Sequence, residues 1–167
     1  MEPLHQYFLG ERLAGVCAAA LGLGALVFTL WLFRSVSPFR AMMVPLGLVG
    51  LLQLGVGIGL YFKTPPQVAG VEAGLTQTDP AARTAAHATE TARMDRVQKN
   101  FVIIKIVWIA LIVLGLGLAV FGGARSTVAG VGLGLLIQAS VMLAFDKFAE
   151  ARGTTYFAWL QSGAGPR

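Results

Sequence analysis

The chain has 167 residues, of which 56% are hydrophobic and 13% charged, with a formal net charge of +5 and a mean hydropathy of +0.70. That apolar share exceeds the roughly 45–50% of soluble domains and argues against an ordinary soluble globule. The bases are interleaved with Glu90, Asp95, Asp146 and Glu150, which argues against a nucleic-acid surface, and a lone Cys17 excludes an intramolecular disulfide, a paired-thiol redox centre and a cysteine-built zinc site.

The opening "MEPLHQYFLGER" sets Glu2 and Glu11 against Arg12. A cleaved leader wants net positive charge before a short apolar stretch, so the first apolar run, Leu13 to Phe33, is expected to stay as a helix. Leu4, Tyr7, Phe8 and Glu11 suggest a separate short helix lying along a membrane interface. A second apolar run spans Ala41 to Phe62. "KTPPQ" is expected to end it, because Pro65 and Pro66 remove helix donors, and Gly70 and Gly74 then predict an irregular connection.

"TDPAAR" restarts a helix, with Asp79 as cap and Pro80 in the first turn. After Ala81 no proline or glycine occurs before Gly115, while Asp79/Arg83 and Asp95/Lys99 have acid-first i,i+4 spacing and Glu90/Arg93 lie three apart. Residues 79 to 121 are therefore predicted as one helix, ~64 Å long at 1.5 Å per residue. Its charged half runs straight into the third apolar run, Phe101 to Phe121, because the bilayer is expected to begin there. His87, Glu90, Met94, Val97 and Phe101 form a partial stripe that predicts a covered face. The fourth run, Thr127 to Phe145, continues without proline through "AFDKFAEARGTTYFAWL" and is the expected cover. It places Asp146 and Glu150 on one face, where they are expected to meet Arg93 or Arg96; Tyr156, Phe157 and Trp159 suit a headgroup region.

Each run is close to the ~20 residues that cross a hydrocarbon core of ~30 Å. None alternates as barrel strands do, and only helices satisfy every backbone group within such a run. The expected fold class is all-α: a polytopic membrane protein with four transmembrane helices in one bundle, the third and fourth extended into the cytoplasm. The spans are about 13–33, 41–62, 101–121 and 127–145, and the extensions about 79–100 and 146–160. Arg34, Arg40 and Arg125 flank the runs on one side; Arg12, Lys63, Arg83, Arg93, Arg96, Lys99, Lys147, Arg152 and Arg167 lie on the other. The bias of Lys and Arg toward the cytoplasm puts both termini there, in a bacterial inner membrane.

"LGLGALVF" at 21–28 recurs as "LGLGLAVF" at 114–121, and Gly47-Leu48 before Gln53 matches Gly132-Leu133 before Gln138. This is either an internal duplication of the parallel-repeat kind or a coincidence of Gly/Leu-rich helices. Small residues four apart (Ala18/Gly22, Gly55/Gly59, Gly115/Ala119/Gly123, Gly130/Gly134) allow close helix approach, within a bundle or between copies in a homo-oligomer.

Three groups are candidate sites. Gln53 and Gln138, the amides within the spans, lie ~14 Å and ~10 Å deep at helical rise and can meet; the choice is between solute ligands and interhelical glue, with glue favoured because no intramembrane carboxylate accompanies them. Lys105 lies one turn inside its run, where snorkelling is the simple account and an anion or counter-ion role the alternative. His87, Glu90, Arg93, Arg96, Asp146 and Glu150 form a polar network or partner surface on the extensions. A metal reading of His87, Glu90, Asp146 and Glu150 is weaker, since bundle di-metal sites use Glu-x-x-His pairs and this chain offers one reversed pair. "RVQKNF" (Arg96 to Phe101) resembles the Arg/Asn motif of the small four-span glutathione-linked membrane enzymes. The resemblance covers six residues, precedes the third rather than the second span and lacks the acid that follows the asparagine in that family, so no activity is carried over. No cofactor is implied.

The expected function is non-catalytic: an inner-membrane protein acting through protein contacts of its cytoplasmic extensions, in an accessory or immunity-type role, with the bilayer and another membrane protein or copy of itself as partners. A small oligomeric channel or transporter using Gln53, Gln138 and Lys105 is the second reading, and a membrane-bound metal protein or enzyme the third.

Overall fold

Every apolar run lies inside a helical stretch longer than itself, the second one beginning in a 3-10 turn that leads straight into its α-helix. A computed structural model of the chain describes residues 2–35, 39–124 and 126–162. They form α1 (Glu2–Arg34), a short 3-10 turn (Arg40–Met42), α2 (Met43–Leu75), α3 (Pro80–Phe121) and α4 (Thr127–Gln161). Among the described residues all regular structure is helical, and four helices are long and apolar enough to cross a membrane. Local chemistry marks the ends of α3 and the start of α4. The Asp79 carboxylate accepts from Ala81 N at 3.1 Å and Ala82 N at 3.3 Å, with Pro80 at the first position where no donor is needed. Gly123, at φ 81°, breaks the helix after Phe121, and Ser126 Oγ caps α4 by accepting from Ala129 N at 3.0 Å.

Two sequence expectations are corrected. α2 does not end at "KTPPQ": it passes through Pro65 and Pro66 and continues to Leu75. The prolines delete the donors that would have reached the carbonyls of Tyr61 and Phe62. What holds the next turns is tertiary packing, since Val68, Val71 and Leu75, at helical spacing, pack into a buried cluster, with Leu75 only 2% exposed. Likewise Leu4, Tyr7 and Phe8 do not build a separate interfacial helix. They are the first turns of α1, buried in that same cluster.

The helices pair as two antiparallel hairpins, α1 with α2 and α3 with α4. Glycines set the seams: a Cβ built on Gly15 would lie 2.8 Å from Gly57 O, one on Gly22 2.6 Å from Gly50 O, and one on Gly115 2.9 Å from Gly132 O. Backbones therefore touch where any side chain would hold them apart. The hairpins join where α2 and α4 run parallel, with Gly130 against Ala41 and Gly134 against Met42 and Pro45. Gly55 and Gly59 face nothing within 4 Å and belong to no seam of this chain.

Packing inverts along the bundle. In the apolar segments the buried residues are mainly small, such as Ala18, Gly22, Gly50, Gly57, Gly132 and Ala139, while Trp31, Leu51, Phe62, Ile106 and Val113 are exposed. At the opposite end, built from the starts of α1 and α3 and the ends of α2 and α4, the order reverses: Leu4, Tyr7, Phe8, Leu75, Met94, Tyr156 and Leu160 form one buried cluster. We call this end the head.

Candidate functional site

The head is organised around one carboxylate. Glu90 and Met94 lie one turn apart on the face of α3 that meets α4, and both are buried, at 5% and 0% exposure. Gly153 lets the helices approach there, since a Cβ on it would sit 2.9 Å from Gln98 Nε2. Tyr156, almost one turn further along α4, then reaches Glu90. Its hydroxyl donates to Glu90 Oε1 at 3.0 Å, and Arg93 closes a bidentate pair, Nε to Oε2 at 2.7 Å and Nη2 to Oε1 at 2.7 Å. Three donors therefore neutralise and hold a carboxylate that would be costly to bury alone.

Aromatic stacking ties α1 to this pair. Tyr7 stacks on Tyr156 with centroids 4.7 Å apart, Tyr156 stacks on Trp159 at 5.8 Å, and the Arg93 guanidinium lies 5.7 Å from the Phe8 ring centroid. Tyr7 donates to Glu11 Oε1 at 2.6 Å. Burial, then the neighbouring carboxylate (Glu11 for Tyr7, Glu90 for Tyr156), pushes both phenols well above their ordinary range, so both remain donors. Burial disfavours the charge on Arg93, but its bonds to Glu90 more than offset this and keep it ionised.

A second polar layer lies where the head meets the apolar segments. Lys105 Nζ donates to Glu150 Oε1 at 2.7 Å, Lys147 Nζ to Glu150 Oε2 at 2.9 Å, and Trp108 Nε1 to Asp146 Oδ2 at 2.6 Å. The expected pairing of Asp146 and Glu150 with Arg93 or Arg96 is thus replaced. Helical side chains lean toward their own N-terminus, so in antiparallel helices Lys105 leans to the head and Glu150 leans away from it, and they meet. Lys105 is accordingly an ion-pair partner rather than a free snorkelling cation. Hydrogen bonds from Lys105 and then Lys147 hold the Glu150 carboxyl below its usual range, whereas burial raises Asp146 despite the Trp108 bond.

The six extension residues do not form one network. Glu90 and Arg93 pair with each other, Asp146 and Glu150 belong to the second layer, and Arg96 is exposed with no ion pair or hydrogen bond to a described residue. His87 is half-buried with Nε2 enclosed and unbonded, beside a shallow groove with Phe157 and Leu160. The α3 positions serving the two layers, Glu90 and Lys105, stand ~22 Å apart along the axis at helical rise. The metal reading of His87, Glu90, Asp146 and Glu150 loses its geometry for that reason, and among the described residues no group of three His, Cys, Asp or Glu is placed to hold a metal.

Gln53 and Gln138 do meet. Gln138 Nε2 donates to Gln53 Oε1 at 2.6 Å, and Gln53 Nε2 contacts Met142 Sδ at 2.7 Å, both amides being nearly fully buried. The two positions that the Gly-Leu…Gln match aligns are thus in direct contact.

Sequence reading missed Tyr7, Trp108 and the role of Tyr156 as a donor. Tyr7 and Glu11 at i,i+4 were a local signal; the other two pair across helices 66 and 38 residues apart and left none. No protein family, curated protein or solved structure matches this chain.

Proposed function

We propose that this is an integral protein of a bacterial inner membrane whose four helices cross the bilayer and continue into a folded cytoplasmic head. It acts without catalysis, by presenting that head to a protein partner. The observation that carries the reading is the inversion of packing: large apolar residues point mostly outward over the lengths that match a bilayer and, Leu9 and Phe148 at the boundary apart, mostly inward beyond them. Lipid as solvent favours the first arrangement and water the second. The distribution of Lys and Arg supports a cytoplasmic head. The saturated Glu90 carboxylate offers no free acid or base, which supports a scaffold rather than an active centre. The mutually bonded Gln53 and Gln138 support the glue reading over a solute path.

The test combines topology with contact. In a Cys17→Ser background, single cysteines replacing Thr89 in the head and Val113 in the apolar segment are treated with a membrane-impermeant maleimide. Thr89→Cys should react only when the inner face is open, and Val113→Cys on neither side. A photo-crosslinker replacing Arg96 should give discrete protein adducts, while one replacing Ile103 should label lipid. Reaction of Thr89→Cys from the outer face would overturn the orientation, and adducts from Ile103 alone would overturn the docking role.

A further inference from the structure

Arg152 differs from the other cations of the head in being both without a partner and partly enclosed, at its Nε. Arg93, Lys99, Lys105 and Lys147 each have a carboxylate partner, and Arg12 donates to the Tyr61 hydroxyl at 2.9 Å while lying over its ring. Arg152 makes no hydrogen bond or ion pair with any described residue, yet its Nε is enclosed. Nε is packed on Gly10, but a guanidinium whose donors find no protein acceptor is open, through its terminal nitrogens, to an acceptor supplied from elsewhere.

The surroundings show where that acceptor would sit. Arg152 lines a cleft of ≈ 220 Å³ between α1 and α4, together with Pro3, Gln6, Tyr7, Thr155 and Tyr156. That is room for roughly seven waters at ~30 Å³ each. The acids nearby on α1 are already engaged, Glu2 by Gln6 at 3.0 Å and Glu11 by Tyr7 at 2.6 Å. Gln6 retains a second amide hydrogen for an acceptor. Gly10 seats the arginine: a Cβ there would lie 2.5 Å from Arg152 Cδ and 2.6 Å from Nε. Gly10 is three residues before Leu13, where the apolar run begins, so the guanidinium base lies ~4 Å beyond the hydrocarbon edge at helical rise. Headgroups occupy the first ~5–7 Å there.

We propose that this cleft binds a phosphate anion, with Arg152 as its principal donor and Gln6 as a second. The fork of the guanidinium matches two phosphate oxygens, and the depth suits the phosphate of an anionic lipid. The depth argument rests on the membrane placement proposed above; the unpaired arginine and the cleft do not.

The test uses the full chain in a zwitterionic detergent, titrated separately with short-chain phosphatidylglycerol and with inorganic phosphate, reading saturable thermal stabilisation. Arg152→Gln should weaken binding about ten- to hundredfold, the worth of one charge-assisted contact. Gly10→Ala should act in the same direction by unseating a flexible side chain without breaking a helix, and Arg152→Lys should fall between. Arg96→Gln, which removes an exposed charge on α3, should leave affinity within about twofold. Saturation by the lipid alone identifies a headgroup; competition between lipid and inorganic phosphate identifies a site open to the free anion as well. Equal weakening by Arg96→Gln and Arg152→Gln, or no saturable binding of either probe, overturns the proposal. Carbonate extraction of cell membranes separates the two readings: protein released from them sinks the membrane placement, whereas retained protein without Arg152-dependent binding sinks only the cleft.

Discussion

Replacing Arg93 with methionine should loosen the head without disturbing the rest of the bundle. Glu90 sits with its side chain 6% exposed, held by both guanidinium bonds at 2.7 Å and by the Tyr156 hydroxyl at 3.0 Å. Arg93→Met removes two of the three donors and leaves a carboxylate in a largely apolar cluster. Breaking a buried pair from one side costs about 3–5 kcal/mol. Arg93 is itself 29% exposed, so solvent screens part of the attraction and the lower end, about 3 kcal/mol, applies. Such a change in local opening free energy corresponds to roughly 150-fold faster amide exchange. Hydrogen–deuterium exchange in detergent should show this loss of protection in residues 87–97 and 153–160, and little change around Gly22 and Gly50. The double variant Glu90→Leu/Arg93→Met removes both charges and should recover to within about 1 kcal/mol of the parent. Less than threefold change in exchange for Arg93→Met, or a double variant worse than either single, would refute the buried-pair reasoning.

Gly22→Leu should collapse the thermal stability of the α1–α2 hairpin in detergent, because its Cβ alone would press on Gly50 O at 2.6 Å, whereas Gly24→Leu, facing open space, should be tolerated. Gln53→Leu with Gln138→Leu should cost only about 1 kcal/mol, the usual worth of an interhelical amide bond, measured by unfolding in mixed micelles; a loss above about 3 kcal/mol would contradict the glue reading. The two acids of the second layer should respond with opposite sign. Asp146 has its folded-state pKa raised by burial, so it favours folding most at low pH and that contribution is lost as pH rises; Asp146→Asn should match or exceed the parent's melting temperature at pH 7. Glu150 has its folded-state pKa lowered, first by its bond to Lys105, so its contribution is present at neutral pH and lost as pH falls; Glu150→Gln should melt lower at pH 7, with the gap closing as pH falls below the ordinary carboxylate range.

Much of the helical content was legible because membrane-length apolar runs and capping chemistry are local. The extent of α3 from Pro80 to Phe121 follows from Asp79, Pro80 and an unbroken helical stretch. The covered stripe through Glu90 and Met94 was visible in spacing alone, and α4 does cover it. Local rules failed where distant packing outweighed them. Pro65 and Pro66 read as a stop, yet Val68, Val71 and Leu75 carry α2 onward by burying their faces. The signal was present in the spacing of those three residues, but proline is the stronger local cue.

The partners were a different matter. Composition and periodicity determine that this chain makes four helices long enough for a bilayer, because those properties belong to each segment separately. Which acid meets which base depends on helix register, and register here is decided by glycine contacts such as Gly115 on Gly132 and Gly22 on Gly50. A shift of one turn, ~5.4 Å, would separate Tyr156 from Glu90 and Glu150 from Lys105. Only the tertiary structure shows that Arg152 is left over, because being without a partner is a property of the whole assembly of helices.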